Sequence, residues 1–322
     1  MEYIRKAVER AKDQRPSEHL EPRQAQPRFA PSFGGTTPSP APPVNRDISL
    51  NNDHLESNRI IAHDIRDLRS RSFDMLRTQI LQSMDIRSWQ FLGITSAAAA
   101  CGKSVVATNL ALSIARQPER SVLLVDMDLQ KPQIANYLGL NADRGIVSVL
   151  AGKTTLQDAL VSAHIRNGQV LVLPCEMPMA NSSAWIASRA MDALLHEIKR
   201  SFPNWTVVID LPPVLASDDV ISILPRLDCV AFVVGAGTTT AEEIKECNRH
   251  LESAEVVRVI LNKSEDAGAS YYYSYSAPPA PGGRSPEAAG VPRKQQNGAA
   301  PASRKPPRFK RIARLFKRLG EP

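Results

Sequence analysis

Six short apolar runs, rich in β-branched residues, punctuate the middle of the chain: Phe91–Thr95, Val122–Asp126, Val170–Leu173, Val207–Asp210, Val230–Val234 and Val256–Leu261. Runs of this length bounded by polar turns predict buried strands. Helical patterns alternate with them, over Lys103–Arg116, Ile146–Leu150, Ala184–Arg200, Asp218–Leu224 and Thr240–Ser253. Strands that are apolar on both faces and joined by helices imply an α/β fold, a parallel sheet flanked by helices in three layers. Such sheets bind ligands beyond the carboxyl ends of their strands.

Composition bounds the domain. Eight of the 25 prolines fall between Pro16 and Pro43 and nine lie from Pro278 onward, so residues 16–47 and 277–307 read as disordered linkers. Between them lies one compact domain, residues 48–270, followed by a tyrosine-rich segment at 271–276. Residues 1–15 place Ile4, Ala7, Val8 and Ala11 on one face of an amphipathic helix, which either docks or frays in solvent. The net charge of +7 is a property of the tail: from Arg293 onward ten basic residues face one acid, and the rest of the chain is slightly acidic. The four cysteines are scattered without a CxxC pair, which points to a reduced, cytoplasmic setting rather than a disulfide scaffold. No apolar run approaches the ~18 residues of a membrane span.

Three strand ends carry chemistry. The first strand runs into Ser96-Ala-Ala-Ala-Ala-Cys-Gly-Lys-Ser104 and then the apolar helix beginning at Val105. That is the setting of a phosphate loop, in which backbone N–H groups cradle phosphates, the lysine reaches the β/γ oxygens and the serine hydroxyl meets Mg²⁺. The loop is poor in glycine: Ala97 stands at the motif's first glycine and only Gly102 remains. The second is Asp126-Met-Asp128-Leu-Gln130-Lys131-Pro132, two carboxylates one residue apart and so able to face one site. The third, Asp210-Leu-Pro-Pro213, has the Walker B form of a buried strand ending in an acid. Each alone is also met as an ordinary polar strand end; three in order on one sheet define a P-loop NTPase-type nucleotide site.

With Leu76-Arg77-Thr78, Arg144-Gly145, Leu261-Asn262 and the tyrosines Tyr271, Tyr272, Tyr273 and Tyr275, these motifs resemble the bacterial tyrosine autokinases (BY-kinases) of capsular and exopolysaccharide biosynthesis, over about residues 73–275. The resemblance implies an ATP- and Mg²⁺-dependent enzyme that phosphorylates its own tyrosines. It implies that Ala100, Cys101, Gly102, Lys103, Ser104 and Val105 hold the phosphates, with Asn262 near the base. Lys103, Asp126, Asp128 and Asp210 would be catalytic, with Asp126 on the incoming tyrosine hydroxyl and Ser104, Asp128 and Asp210 about the metal. Tyr271, Tyr272, Tyr273 and Tyr275 would be the acceptors, presented to a neighbouring subunit of a homo-oligomer. The chain is similar to the stand-alone type, which implies a separate membrane-anchored polysaccharide co-polymerase as activator.

The chain departs from the family pattern at several places. Ala99 and Ala100 replace a proline and a glycine of the loop, and Gln130 replaces an arginine. A left-handed backbone at Ala100 would cost on the order of 1 kcal/mol. The family's Glu-x-x-Arg-x-x-Arg pattern, used for oligomerisation, aligns with Arg71, Asp74 and Arg77, with two of its three charges inverted.

The tail at 308–320 places Phe309, Ile312, Phe316 and Leu319 on one helical face among arginines and lysines. Such a helix suits an anionic membrane surface, or stays solvated. Nucleic acid is the weaker partner, since no aromatic platform accompanies it. The implied location is therefore cytoplasmic, peripheral at the inner face of the membrane. Two other readings stay open: a positioning or partition-type ATPase cycling on the membrane, and a nucleotide-binding scaffold without turnover. The first would carry an early loop lysine where this chain has Ala98.

Overall fold

A computed structural model describes Val44, residues 46–166 and residues 168–264. The amphipathic helix expected at 1–15, most of the first linker, the tyrosine cluster, the second linker and the basic tail lie outside the described residues.

Among the described residues eight strands form one sheet, β1 Asp47–Ser49, β2 Phe91–Ser96, β3 Val122–Asp126, β4 Val161–Ile165, β5 Gly168–Leu173, β6 Thr206–Asp210, β7 Cys229–Gly235 and β8 Val256–Asn262. Their order across the sheet is β1-β4-β5-β3-β6-β2-β7-β8. Every pairing is parallel except β4 with β5, an antiparallel hairpin. The helices are α1 Asn52–Ser57, α2 Ser70–Arg87, α3 Lys103–Ala115, α4 Ile134–Leu138, α5 Ile146–Leu150, α6 Leu156–Ala159, α7 Ser182–Ile186, α8 Arg189–Ser201, α9 Asp219–Ile223 and α10 Ala241–His250.

All six predicted strands are present, and the two extra ones have weak sequence signals. β1 is three residues long, begins in what reads as linker, and gains its partner only from β4. β4 breaks its apolar run with Ser162 and His164. The turn into β5 depends on Gly168: a Cβ there would lie 2.4 Å from the carbonyl oxygen of Ala115 at the end of α3. The predicted helix over Ala184–Arg200 is two helices, because Ser188 takes an extended conformation and its hydroxyl accepts the Met191 N–H, capping α8. Thr240 likewise caps α10, in a capping box with Glu243.

The sheet is covered on both faces. Leu123, Val125, Val207, Ile209 and Phe232 pack into one core with α8, and Leu92, Ile94, Leu124, Val208 and Val233 into the other around α3. Alternate residues of each strand serve opposite cores, as the two-residue period requires. Each fully buried Leu, Ile or Val contributes roughly 1.5–3 kcal/mol. Helix α3 is central: every residue of it except Val105 is buried. The phosphate-loop helix is thus immobilised between the sheet and a second rank of helices.

Helix α2 is docked on α3 through the residues of the altered charge pattern. Asp74 Oδ1 accepts from Arg77 Nη1 at 3.0 Å and Ser113 Oγ at 2.7 Å, and pairs with Arg116. Arg77 also donates to the Ser113 carbonyl oxygen. Burial pulls Arg77 below the usual arginine range, with Asp74 opposing the shift. Asp74 and Arg77 are therefore committed within the chain.

Candidate active site

Between the end of β2 and the start of α3 the chain must turn tightly, and two residues do it in the left-handed region. Gly102 has φ 89° and Ala100 has φ 62°. Gly102 is required twice over. An L side chain is strained at that φ, and a Cβ would lie 2.2 Å from Asn262 Nδ2. That amide, at the end of β8, donates to the Cys101 carbonyl oxygen at 2.9 Å and locks the loop to the sheet. Asn262, expected near the base, braces the loop and is not among the residues that line the cleft described below. Ala100 adopts the conformation a glycine would, at a cost of about 1 kcal/mol.

The loop is braced from its other side as well. Val214 and Leu215 donate their N–H groups to the carbonyls of Ser96 and Ala97, at 2.8 and 3.2 Å. Cys101 is buried with its Sγ 3.5 Å from Thr239 Oγ1, and that hydroxyl accepts the Gly235 N–H. The other three cysteines are equally buried and free. Burial pushes the thiols of Cys175, Cys229 and Cys247 up to about 12, so they pack rather than react.

Strand register brings the distant acids together. Asp126 and Asp210 are direct partners on β3 and β6. Lys103 Nζ lies 2.7 Å from Asp128 Oδ2, 3.5 Å from Asp210 Oδ1 and 3.1 Å from Ser104 Oγ. Burial pulls the Lys103 ammonium down, but Asp210 and Asp128 outweigh it and its pKa is raised. Asp126 is fully buried. Its Oδ2 accepts the N–H groups of Gln133 and Ile134 at 3.0 and 2.9 Å, while Oδ1 has no partner. Burial, then the Asp210 charge, pushes its pKa up to about 8, against the pull of those N–H groups and Lys103. Burial raises Asp210 too, with Lys103 and Ser104 opposing. Adjacent buried carboxylates sharing one lysine do not both ionise readily.

These residues floor a cleft of about 500 Å³. Ala100, Gly102, Lys103, Ser104, Val105 and Asp128 line it, whereas Asp126 and Asp210 lie behind its wall. Its rim includes Arg59, Lys131, Tyr137 and Lys263. Of these only Lys131 falls in a motif legible in the sequence; Arg59 is over forty residues upstream of the lysine of the loop, and no local pattern marks it. Gln130, in the place of the family's arginine, donates to Ser182 Oγ and Ser217 Oγ at 2.9 and 3.0 Å. It ties the loop after β3 to the loop after β6.

A hydroxyl oxygen and two carboxylates beside a charged lysine form a hard-oxygen donor set that fits Mg²⁺ with a polyphosphate. The unpartnered buried oxygens Asp126 Oδ1 and Asp210 Oδ2 mark where further cationic or hydrogen-bonding groups would be satisfied. Phosphate loop, paired acids and Walker B strand define a P-loop nucleotide-binding protein.

Comparison with known proteins narrows the class. A model of the CobQ/CobB/MinD/ParA nucleotide-binding domain matches residues 92–305. The chain is 28% identical over 223 residues to tyrosine-protein kinase YwqD of Bacillus subtilis, covering 69% of this chain and 92% of that one. It is 26% identical over 202 residues to tyrosine-protein kinase CpsD of Streptococcus agalactiae, covering 62% and 85%. Among solved structures, the chimerical protein CapA2B2 matches with a TM-score of 0.59 at 28% identity, over 70% of this chain and 95% of that chain. The kinase domain of VpsO matches with a TM-score of 0.55 at 26% identity, over 62% and 97%. The chain belongs to the CobQ/CobB/MinD/ParA nucleotide-binding family, in its branch of bacterial tyrosine kinases.

Proposed function

We propose that this protein is an ATP-dependent protein-tyrosine kinase that phosphorylates its own Tyr271–Tyr275 segment and regulates polysaccharide synthesis or export. The observation that carries the reading is the site's assembly: a preformed phosphate loop whose lysine is held, charged, between Asp128 and Asp210. The tyrosine kinases to which the chain is similar supply the acceptor class.

Catalysis here is positioning and charge neutralisation. Ser104 and Asp128 would hold Mg²⁺, with Asp210 supporting it from behind the wall, and the ion would supply charge compensation for the transferring phosphoryl group. Lys103 grips the β/γ oxygens, and the loop N–H groups from Ala100 to Ser104 orient the chain of phosphates. The tyrosine oxygen attacks the γ-phosphorus, the bond to the β–γ bridging oxygen breaks, and ADP leaves. The phenolic proton passes to a carboxylate. We assign that role to Asp128, which lines the cleft, in preference to the fully buried Asp126. Asp126 then acts from behind, setting the loop and the local charge. A neighbouring cavity of about 540 Å³, lined by Lys131, Asn136 and Glu176 and sharing Gln130, Lys131 and Gln133 with the cleft, offers the acceptor chain its way in.

The activator in this reading is a membrane-anchored polysaccharide co-polymerase, and the basic tail adds contact with the anionic inner face of the membrane. Among the described residues no helix is long and apolar enough to cross a membrane.

The test is to incubate the full chain with ATP and Mg²⁺, with and without a membrane fraction carrying the activator, and to map phosphotyrosine by mass spectrometry. Phosphate on Tyr271–Tyr275 that vanishes in Lys103→Ala is the expected result. Hydrolysis without phosphotyrosine would make the protein a positioning ATPase. Failure to bind nucleotide would make it a scaffold.

A further inference from the structure

The floor of the nucleotide cleft has no surplus of positive charge. Lys103 is one ammonium against Asp126, Asp128 and Asp210. A nucleoside triphosphate bound with Mg²⁺ still adds about two negative charges, which cations at the rim would complement. The rim supplies Arg59, Lys131 and Lys263.

Arg59 and Lys263 are both left-handed, at φ 62° and 59°, and what sets Arg59 apart is the buried asparagine that fastens its backbone to the phosphate-loop helix. Helix α1 ends in a left-handed turn at Arg59, with φ 62°. The Arg59 N–H donates to the Glu56 carbonyl oxygen at 2.9 Å, and the Ile60 N–H to that of Leu55 at 2.8 Å. The segment is then fastened to the phosphate-loop helix by Asn109, which is fully buried. Asn109 Oδ1 accepts the N–H groups of Ile61 and Ala62, both at 2.8 Å. Its Nδ2 donates to the carbonyl oxygens of Arg59 at 3.1 Å and Val105 at 2.8 Å. One side chain therefore fixes Arg59 against Val105, the first-turn residue of α3 that lines the cleft. The Arg59 side chain is exposed, and it has no ion-pair or hydrogen-bond partner among the described residues. A non-glycine residue held left-handed, with a free guanidinium at the mouth of an electronegative cleft, is a strained position that the surrounding hydrogen bonds maintain.

We propose that Arg59 is a phosphate-binding residue of the nucleotide site, its guanidinium closing the open side of the cleft over the polyphosphate of a bound nucleoside triphosphate. The planar fork suits two phosphate oxygens at once, which a lysine does not match. The inference rests on the nucleotide-binding reading above and adds a residue well outside its motifs in the chain.

The test is titration of the full chain with Mg-ATP, comparing wild type, Arg59→Ala and Arg59→Lys, with thermal unfolding of each. Arg59→Ala is expected to weaken ATP binding about tenfold, the effect of losing a charge-assisted, solvent-screened contact at the rim. Arg59→Lys is expected to recover part of that affinity, and raising salt to narrow the gap between wild type and Arg59→Ala. The unfolding midpoints of all three stay together, because the exposed side chain bonds to no other residue described. Arg59→Ala binding within twofold of wild type overturns this inference alone, as does a weakened affinity matched by a drop in unfolding midpoint. Wild type that binds no ATP overturns the nucleotide reading and this inference with it.

Discussion

Replacing Gly102 with alanine tests how the phosphate loop is held. The new Cβ would stand 2.2 Å from Asn262 Nδ2, at a φ of 89°. Left-handed strain on an alanine costs roughly 1–2 kcal/mol. The Asn262 amide must also swing away, breaking its bond to the Cys101 carbonyl oxygen, which is worth about 1 kcal/mol. Together these make a loss of roughly 2–3 kcal/mol in the native loop. Read through nucleotide affinity, that is a weakening of about 30- to 150-fold. Asn262→Ala alone removes only the hydrogen bond, for a weakening of about fivefold. In the double variant there is no amide to displace, so Gly102→Ala then costs only its backbone strain. The cycle should therefore show a coupling of about 1 kcal/mol. Fluorescence titration with Mg-ATP, alongside urea unfolding, measures all four corners. Strict additivity, or a neutral Gly102→Ala, would refute the claim that Asn262 and Gly102 are mutually fitted. Ala100→Gly is the internal control: it relieves strain but adds freedom to the unfolded chain, so stability should change by less than about 1 kcal/mol.

Asp126 has a folded pKa of about 8, above its unfolded value, so the native state holds the extra proton and stability falls as pH rises from about 4 through 8. Urea unfolding of the nucleotide-free protein should show lower stability at pH 8 than at pH 5.5, and Asp126→Asn should flatten that difference; an unchanged slope would count against burial raising the Asp126 carboxyl. Asp74→Ala removes the carboxylate that pairs with both Arg77 and Arg116 where α2 meets α3, leaving two part-buried guanidinium groups facing each other without it. It should cost about 2–4 kcal/mol of unfolding free energy, seen as a lower urea midpoint, while Arg71→Ala on the exposed side of α2 should cost under about 1 kcal/mol.

The nucleotide core is legible because parallel strands buried on both faces read as continuous apolar runs, and because the acids fall at their ends. The six runs from Phe91 to Leu261 appear as strands within one or two residues at each end. Asp126, Asp128, Asp210 and the Gly-Lys-Ser element stand out for the same reason. What local pattern does not disclose are features made by long-range pairing. β1 exists only as a partner of β4, and the break at Ser188 follows from a cap that competes with an otherwise helical run. The inward turn of Asp74 depends on Arg116 and Ser113, about forty residues away.

The loop at 97–104 shows the division most clearly. Its sequence determines that a phosphate loop stands there and that alanine occupies three positions where glycine or proline is usual, Ala97, Ala99 and Ala100. Whether alanine can take a glycine's backbone is a question of φ, and φ is decided by what surrounds the loop: β8 contributes Asn262, and the loop after β6 contributes the Val214 and Leu215 N–H groups. These contacts over-determine the turn, so Ala100 is held at φ 62° despite its intrinsic cost. The same holds for Arg59, which becomes part of the cleft only because a buried asparagine on the central helix ties a distant segment beside it. Sequence pattern specifies which chemistry is present along the chain; tertiary hydrogen bonds specify which residues meet and in what conformation.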